Sequence, residues 1–321
     1  MVSGRGVQSL KFMSLFDPRN YPRDLAGYGR SPPDPRWPGG ARLALVIVLN
    51  FEEGAETSIA DGDGASELAL TDAIAGEVPA GTRDLVAESL WEYGSRVGFW
   101  RLYELFAERR VPVTINACAQ ALERNPEAAA AIREAGLDVC CHGRRFVRHF
   151  LMREEDERAA IAAAVASLTR SLGRAPLGWQ SRYSASERTR QLLVEHGGFL
   201  YDADSYADDL PYWLTIARRP HLVIPHTFTN NDNRLPSGKL GTGGDFYEHI
   251  AAAFRTLYAE SARRPRMMTV SLHNRVSGQP SRFEAIARFL DLVAKHADVW
   301  IAGRSDVARH WIAAHSPKDE R

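Results

Sequence analysis

The chain has 321 residues, 45% hydrophobic and 25% charged, which suits a globular protein of one large α/β domain or two small ones. Lys plus Arg and Asp plus Glu each total 40, so no basic excess is available to hold nucleic acid or an anionic membrane surface. Three cysteines, Cys118, Cys140 and Cys141, form no disulfide framework and point to a reducing compartment. No apolar run approaches the roughly 20 residues that span a bilayer, and the first 16 residues lack the apolar core of a signal peptide, so a cytoplasmic location is expected.

Residues 1–40 are rich in Pro, Gly and Arg and cannot build a helix or a central strand. They read as an extended arm that wraps the domain or reaches a neighbouring subunit, with Met13 a candidate start. The first strand is expected at about 42–50, in the stretch Leu43–Gly54, whose apolar run ends in Glu52, Glu53 and Gly54. A run this short and rich in Val, Ile and Leu suits a strand buried on both faces. Residues 54–86 form a long loop, and long ordered loops in compact domains are often functional. A helix over 95–109 carries a wide apolar face with Phe99, Trp100, Tyr103 and Phe106. Then come a strand at 111–117, a helix at 126–135 stopped by Gly136, and a strand at 137–141 ending at His142. A helix at 153–172, a short strand at 177–180 and a helix at 185–196 follow, leading through residues 199–201 to Asp202 and Asp204. The remainder reads as a strand at 221–225, a helix at 245–262, a strand at 267–272 ending at His273, a helix at 281–295, a strand at 299–301 and a helix at 305–314.

About seven strands alternating with helices predict an α/β fold, a single distorted (β/α) barrel of parallel strands. The domain spans 41–315, with 316–321 as a tail. Neither a dinucleotide-binding nor a phosphate-cradling glycine motif is present, which disfavours a dehydrogenase. Polar groups recur at the strand ends: Glu52 and Glu53, then His142, then Arg182 and Tyr183, then Asp202 and Asp204, then Thr227 to Asp232, then His273, Asn274 and Arg275. In a parallel barrel these meet on one face. Such a set can hydrolyse at a carbonyl carbon, with a carboxylate taking a proton from water and a histidine protonating the leaving nitrogen. Arginine or backbone donors would stabilise the oxyanion. His226, His249, His296 and His310 read as structural or exposed, and Cys140 and Cys141 as small core residues.

The order Asn50–Gly54, Cys141-His142-Gly143, Arg174-Ala-Pro176, Tyr201–Trp213 and Ser271–Arg275 resembles the polysaccharide deacetylase (NodB-type) family. Within it the chain is similar to the allantoinase-like branch, which opens cyclic ureides and imides. Glu92–Trp100, Arg23–Arg30 and Pro35–Gly40 also resemble that branch, and the likeness covers roughly residues 20–312. The resemblance implies a distorted (β/α) barrel and a hydrolase of non-peptide carbon–nitrogen bonds with a small-molecule substrate. It places Glu52 at the base position, Glu53 at a metal-ligand position and His142 at the first ligand histidine. The second ligand histidine falls on Phe146, and His149 lies three residues further on. Glu53 and His142 alone are short of the three ligands of a catalytic zinc site, so no cofactor is expected, with zinc the alternative.

The expected roles are Glu52 activating water, His273 as general acid, Arg275 or Arg182 holding substrate oxygens, and His142 and Glu53 orienting substrate or water. Tyr183, Asp204 and Asn274 complete the expected substrate contacts. The chain departs from the branch at His142–Val147, Trp179–Tyr183, Pro225-His226-Thr227, Asn231–Leu235 and Leu272–Arg275, which suggests a changed substrate. The rival readings are a metal-dependent N-deacetylase of an amino sugar and a silent ureide-binding protein. The branch also implies a homo-oligomer, often a tetramer.

Overall fold

The computed structural model describes residues 23–317. The candidate start at Met13, the first part of the Pro-rich arm and the end of the C-terminal tail lie outside the described residues. Nine strands form one sheet: β1 (Leu43–Phe51), β2 (Thr114–Ala117), β3 (Asp138–Cys141), β4 (Gly178–Trp179), β5 (Tyr201–Asp202), β6 (Tyr212–Ile216), β7 (Arg219–Val223), β8 (Arg266–His273) and β9 (Val299–Ile301). Their order is β6-β7-β5-β4-β3-β2-β1-β8, with β9 also on β1. The helices are α1 (Leu85–Tyr93), α2 (Phe99–Glu108), α3 (Ala119–Arg124), α4 (Pro126–Glu134), α5 (Glu154–Leu172), α6 (Thr189–His196), α7 (Gly243–Glu260), the single turn α8 (Asn274–Ser277), α9 (Pro280–Val293) and α10 (Arg304–Ala314).

Eight of these strands run parallel, as a βα alternation requires. The exception is β6, an antiparallel partner of β7 across the two-residue turn Ala217-Arg218. Both turn residues have positive φ, 48° and 62°, without the Asn-Gly signature that normally announces such a hairpin. The sheet curls into an incomplete barrel. Its open side, toward β8, is spanned by loop groups: Met267 N–H donates to Asp209 O, Ser271 N–H to Asn230 O and Thr269 N–H to Thr227 Oγ1.

The alternation of β1 explains how the barrel is filled. Leu43, Leu45, Ile47, Leu49 and Phe51 pack outward against the helices. Ala44, Val46 and Val48 point inward and pack with Cys140, Tyr201, Leu222 and Met267. The parallel register of β1 with β8 pairs Ala44 with Met267, Val46 with Thr269, Val48 with Ser271 and Asn50 with His273. The inward row therefore changes from apolar to polar toward the carboxyl ends of the strands. Below the apolar layer, Trp37 of the arm packs against Trp300 and Trp311 and donates its indole N–H to Arg266 O.

The region expected as one helix over 95–109 is longer and interrupted. α1 starts ten residues earlier because the Asp84 side chain accepts from Ala87 N–H, an N-cap. It passes through a π-helical turn, Gly94–Gly98, into α2. The two glycines let this turn press on the end of β8. A Cβ on Gly98 would fall on the Asn274 carbonyl oxygen, and one on Gly94 would come within 2.6 Å of Glu53 Oε1.

Candidate active site

β1 continues its alternation one step beyond Asn50, so Glu52 enters the barrel interior while Glu53 turns toward α8. Both carboxylates are buried, Glu52 to 1% exposure. Two adjacent buried anions demand a cation, and Arg275 supplies it. Its Nη2 donates to Glu52 Oε2 at 2.8 Å and its Nη1 to Glu53 Oε1 at 3.0 Å. Its Nε donates to Leu70 O, and its plane lies over Trp91 with Cζ 3.6 Å from the ring centre. Glu53 Oε2 accepts from Asn274 Nδ2 at 2.9 Å and from Glu52 N–H at 3.1 Å. Arg144 and Arg145 take no part; Arg145 pairs with Asp63.

Glu52 Oε1 is left without a hydrogen bond inside the site. It lies 3.2 Å from His142 Nε2 and 3.7 Å from His273 Nε2. Each histidine is oriented through its other nitrogen. His142 Nδ1 donates to the backbone oxygen of Gln180 at 2.5 Å. His273 Nδ1 donates to Asp232 Oδ1 at 2.6 Å, and the same carboxylate accepts from His273 N–H and Ser277 Oγ. A carbonyl or carboxylate partner requires the proton on Nδ1, so each ring turns Nε2 toward Glu52, and that nitrogen carries a proton only in the imidazolium form.

Burial alone would raise the Glu52 carboxyl, but His273, Arg275 and His142 outweigh it and hold the group well below the usual carboxylate range. Burial opposes charge on His273, yet Asp232 and Glu52 outweigh it and raise the imidazole above its ordinary value. The resulting pair is a carboxylate whose ionised form is favoured beside a histidine whose protonated form is favoured.

These groups border a cavity of about 320 Å³. Glu52, His142 and His273 line it, with Asn50 and Ser271 beneath them. Ala69 and Leu70 of the long loop, Phe146, Phe150, Tyr206 and Phe228 form walls. Arg182 and Tyr183 are also on the wall. The Arg182 guanidinium stacks on Phe146, donates to the Phe146 carbonyl oxygen and pairs with Glu67 at 2.6 Å. Tyr183 is 78% exposed and held at φ 61°.

The structure places several of the expected contacts away from the cavity lining. Glu53, Asn274 and Arg275 stand behind Glu52, outside the cavity lining, because the paired carboxylates consume the guanidinium. Asp204 accepts both the N–H and the hydroxyl of Ser181 and braces the wall from behind. Burial and the charge of Asp202 push its carboxyl up to about 6. His226, read from the sequence as structural or exposed, lines the cavity. Asp232 and Glu67 were missed as supports. Only Asp232 carried a signal, standing among the polar groups expected at the strand ends.

The donor set does not fit a zinc centre. Both Glu53 oxygens are engaged by Arg275 and Asn274. Phe146 packs its ring 5.7 Å from His142, and the His149 imidazole packs against Trp179, where burial and His142 bring it down to about 4. Among the described residues no group of three His, Cys, Asp or Glu side chains is placed to hold a metal.

A family model described as polysaccharide deacetylase matches residues 82–200. A Schizosaccharomyces pombe protein carrying a provisional polysaccharide deacetylase assignment is 34% identical, over 92% of this chain and 98% of its own length. The chain belongs to the polysaccharide deacetylase family. Two solved structures place it in the allantoinase-like branch. A Pseudomonas aeruginosa protein assigned as a polysaccharide deacetylase is 45% identical, covering 93% of this chain and all of its own, with a TM-score of 0.89. PuuE allantoinase is 44% identical, with the same coverage and a TM-score of 0.89. As a member of this family the protein is a hydrolase of non-peptide carbon–nitrogen bonds. No helix among the described residues is long and apolar enough to cross a membrane.

Proposed function

We propose that the protein opens a small cyclic ureide or imide by metal-independent acid–base hydrolysis. The observation that carries this reading is Glu52 Oε1, unbonded, facing two histidine Nε2 atoms at the cavity. A volume of about 320 Å³ suits one small ring, at the lower end of the range for ligand pockets. Water beside Glu52 attacks the ring carbonyl carbon and passes its proton to the carboxylate. The carbon–nitrogen bond breaks as His273 gives its Nε2 proton to the leaving nitrogen. His142 presents Nε2 to the same carboxylate oxygen and is placed to accept a hydrogen bond from the attacking water. Asp232 accepts from Nδ1–H and favours the imidazolium form of His273, the form whose Nε2–H can be donated. Glu52 is a weak base because Arg275 pairs with it, so its proton uptake advances with attack instead of preceding it. The 44% identity to an allantoinase supports the ring-opening class; the altered wall at Trp179–Tyr183 and His226 favours a ring other than allantoin.

The test is a hydrolysis screen over allantoin, hydantoins, cyclic imides and N-acetyl sugars, with chelator and with added zinc. Turnover of a cyclic substrate unchanged by chelator is expected. Activity confined to N-acetyl sugars and dependent on zinc would replace this reading with deacetylation. A thermal shift with a ring compound but no product would make the protein a ureide-binding module.

A further inference from the structure

We propose that His226 is a specificity residue, a neutral imidazole whose Nε2–H donates to a carbonyl oxygen of the bound ring other than the one attacked. This inference rests on the ring-opening reading above and names a recognition group that reading does not use.

His226 is 3% exposed and lines the cavity with Ser271 and His273. Its Nδ1 faces Arg304 Nη2 at 3.0 Å. A guanidinium has only donors, so Nδ1 must accept and the ring proton must sit on Nε2. Arg304 cannot turn away. It is fully buried at the start of α10; its N–H donates to Thr114 Oγ1 at 2.8 Å and its Nη1 to Gln180 Oε1 at 2.6 Å. Gln180 Oε1 also accepts from Asn116 Nδ2, which in turn donates to Asn50 Oδ1. The donor that sets the tautomer is thus part of a connected polar floor. Second protonation of His226 is opposed by burial first, then by Arg304, His273 and His142, which together hold it well below its ordinary value. The Tyr206 ring, edge-on at 5.9 Å, also faces it.

His226 Nε2 is buried and has no partner within the protein. A buried donor left unpaired is costly, and the cost is relieved only by an acceptor. Water can serve in the free enzyme. In the complex, a cyclic ureide or imide offers a second carbonyl on the same small ring as the scissile one. A neutral, tautomer-locked donor suits that oxygen, and it discriminates against rings lacking it because the N–H would then stay unpaired.

The experiment compares wild type with His226→Phe and His226→Gln on the ring substrate found in the screen. It is paired with 15N spectra of the histidine side chains from pH 5 to 8. A contact to a non-reacting carbonyl affects binding in ground and transition states alike. His226→Phe should therefore raise KM about 10- to 100-fold with kcat within a few-fold. His226→Gln, which retains an N–H, should recover most of that loss. The His226 signal should show the Nε2–H tautomer throughout. An unchanged KM in a folded His226→Phe protein, or a His226 ring that titrates or carries its proton on Nδ1, overturns the inference alone. Wild-type inactivity on every cyclic substrate overturns the ring-opening reading and this inference with it.

Discussion

Asp232→Asn isolates the step in which His273 protonates the leaving nitrogen. In the native site Asp232 accepts three hydrogen bonds, from His273 Nδ1 at 2.6 Å, His273 N–H at 2.8 Å and Ser277 Oγ at 2.6 Å. The amide preserves shape but exchanges one acceptor oxygen for a donor and removes the negative charge. Retaining the bond to His273 N–H turns an NH₂ toward Nδ1, which then has to accept, so the ring proton moves to Nε2 in the neutral form and the imidazolium loses its counter-charge. A charge-assisted hydrogen bond contributes about 1.5–3 kcal/mol, equivalent to about 1–2 pKa units on His273. The raised value of His273, for which Asp232 and Glu52 are the causes opposing burial, should therefore drop toward or below its ordinary one. The assay is kcat/KM against pH on the cyclic substrate. A general acid fails as pH rises through its pKa, so the alkaline limb should move to lower pH by about 1–2 units. Above that limb kcat should fall by roughly 10²–10⁴. An alkaline limb that stays in place, with near-normal kcat, would refute His273 as the acid and Asp232 as its support.

Other consequences are equally concrete. Glu52→Gln and His273→Ala should each reduce turnover by at least about 10²-fold while circular dichroism and melting show an intact fold; near-normal rates in both would remove them from the mechanism. Phe146→His restores a second histidine four residues after His142, yet it should confer neither stoichiometric zinc in metal analysis nor zinc-dependent activity, because Arg275 holds Glu53. Gly98→Ala drives a Cβ into the Asn274 carbonyl oxygen, a backbone atom that cannot swing aside. It should lower stability by about 1–3 kcal/mol or more in denaturant titration and weaken turnover through the displaced Arg275. Glu52 contributes stability above its unfolded pKa, near 4.3, and loses it as pH falls toward its depressed folded value. Thermal stability should thus fall below about pH 4, and less steeply in Glu52→Gln; identical acid profiles would show that the Arg275 pairing does not depress Glu52.

The barrel was legible because its signals are local. The unbroken apolar run of β1, the Gly136 stop after α4 and strand ends at His142 and His273 follow from side-chain periodicity and backbone preference, which act within a few residues. Glu52, His142 and His273 were legible for the same reason, since parallel strands bring their carboxyl ends to one face. The partners of those groups were not. That Arg275 neutralises both glutamates, that Asp204 turns to Ser181 and that Asp232 grips His273 depend on side-chain direction across elements far apart in the chain. β6 escaped because Ala217-Arg218 adopts a glycine-like turn without glycine. The sequence by itself determined a βα alternation and a run of polar strand ends. Only the tertiary structure decided which of them face the cavity, because a buried charge goes where its counter-charge can reach it. It also decided that His226, unremarkable in sequence, is locked by Arg304 from a helix 78 residues later.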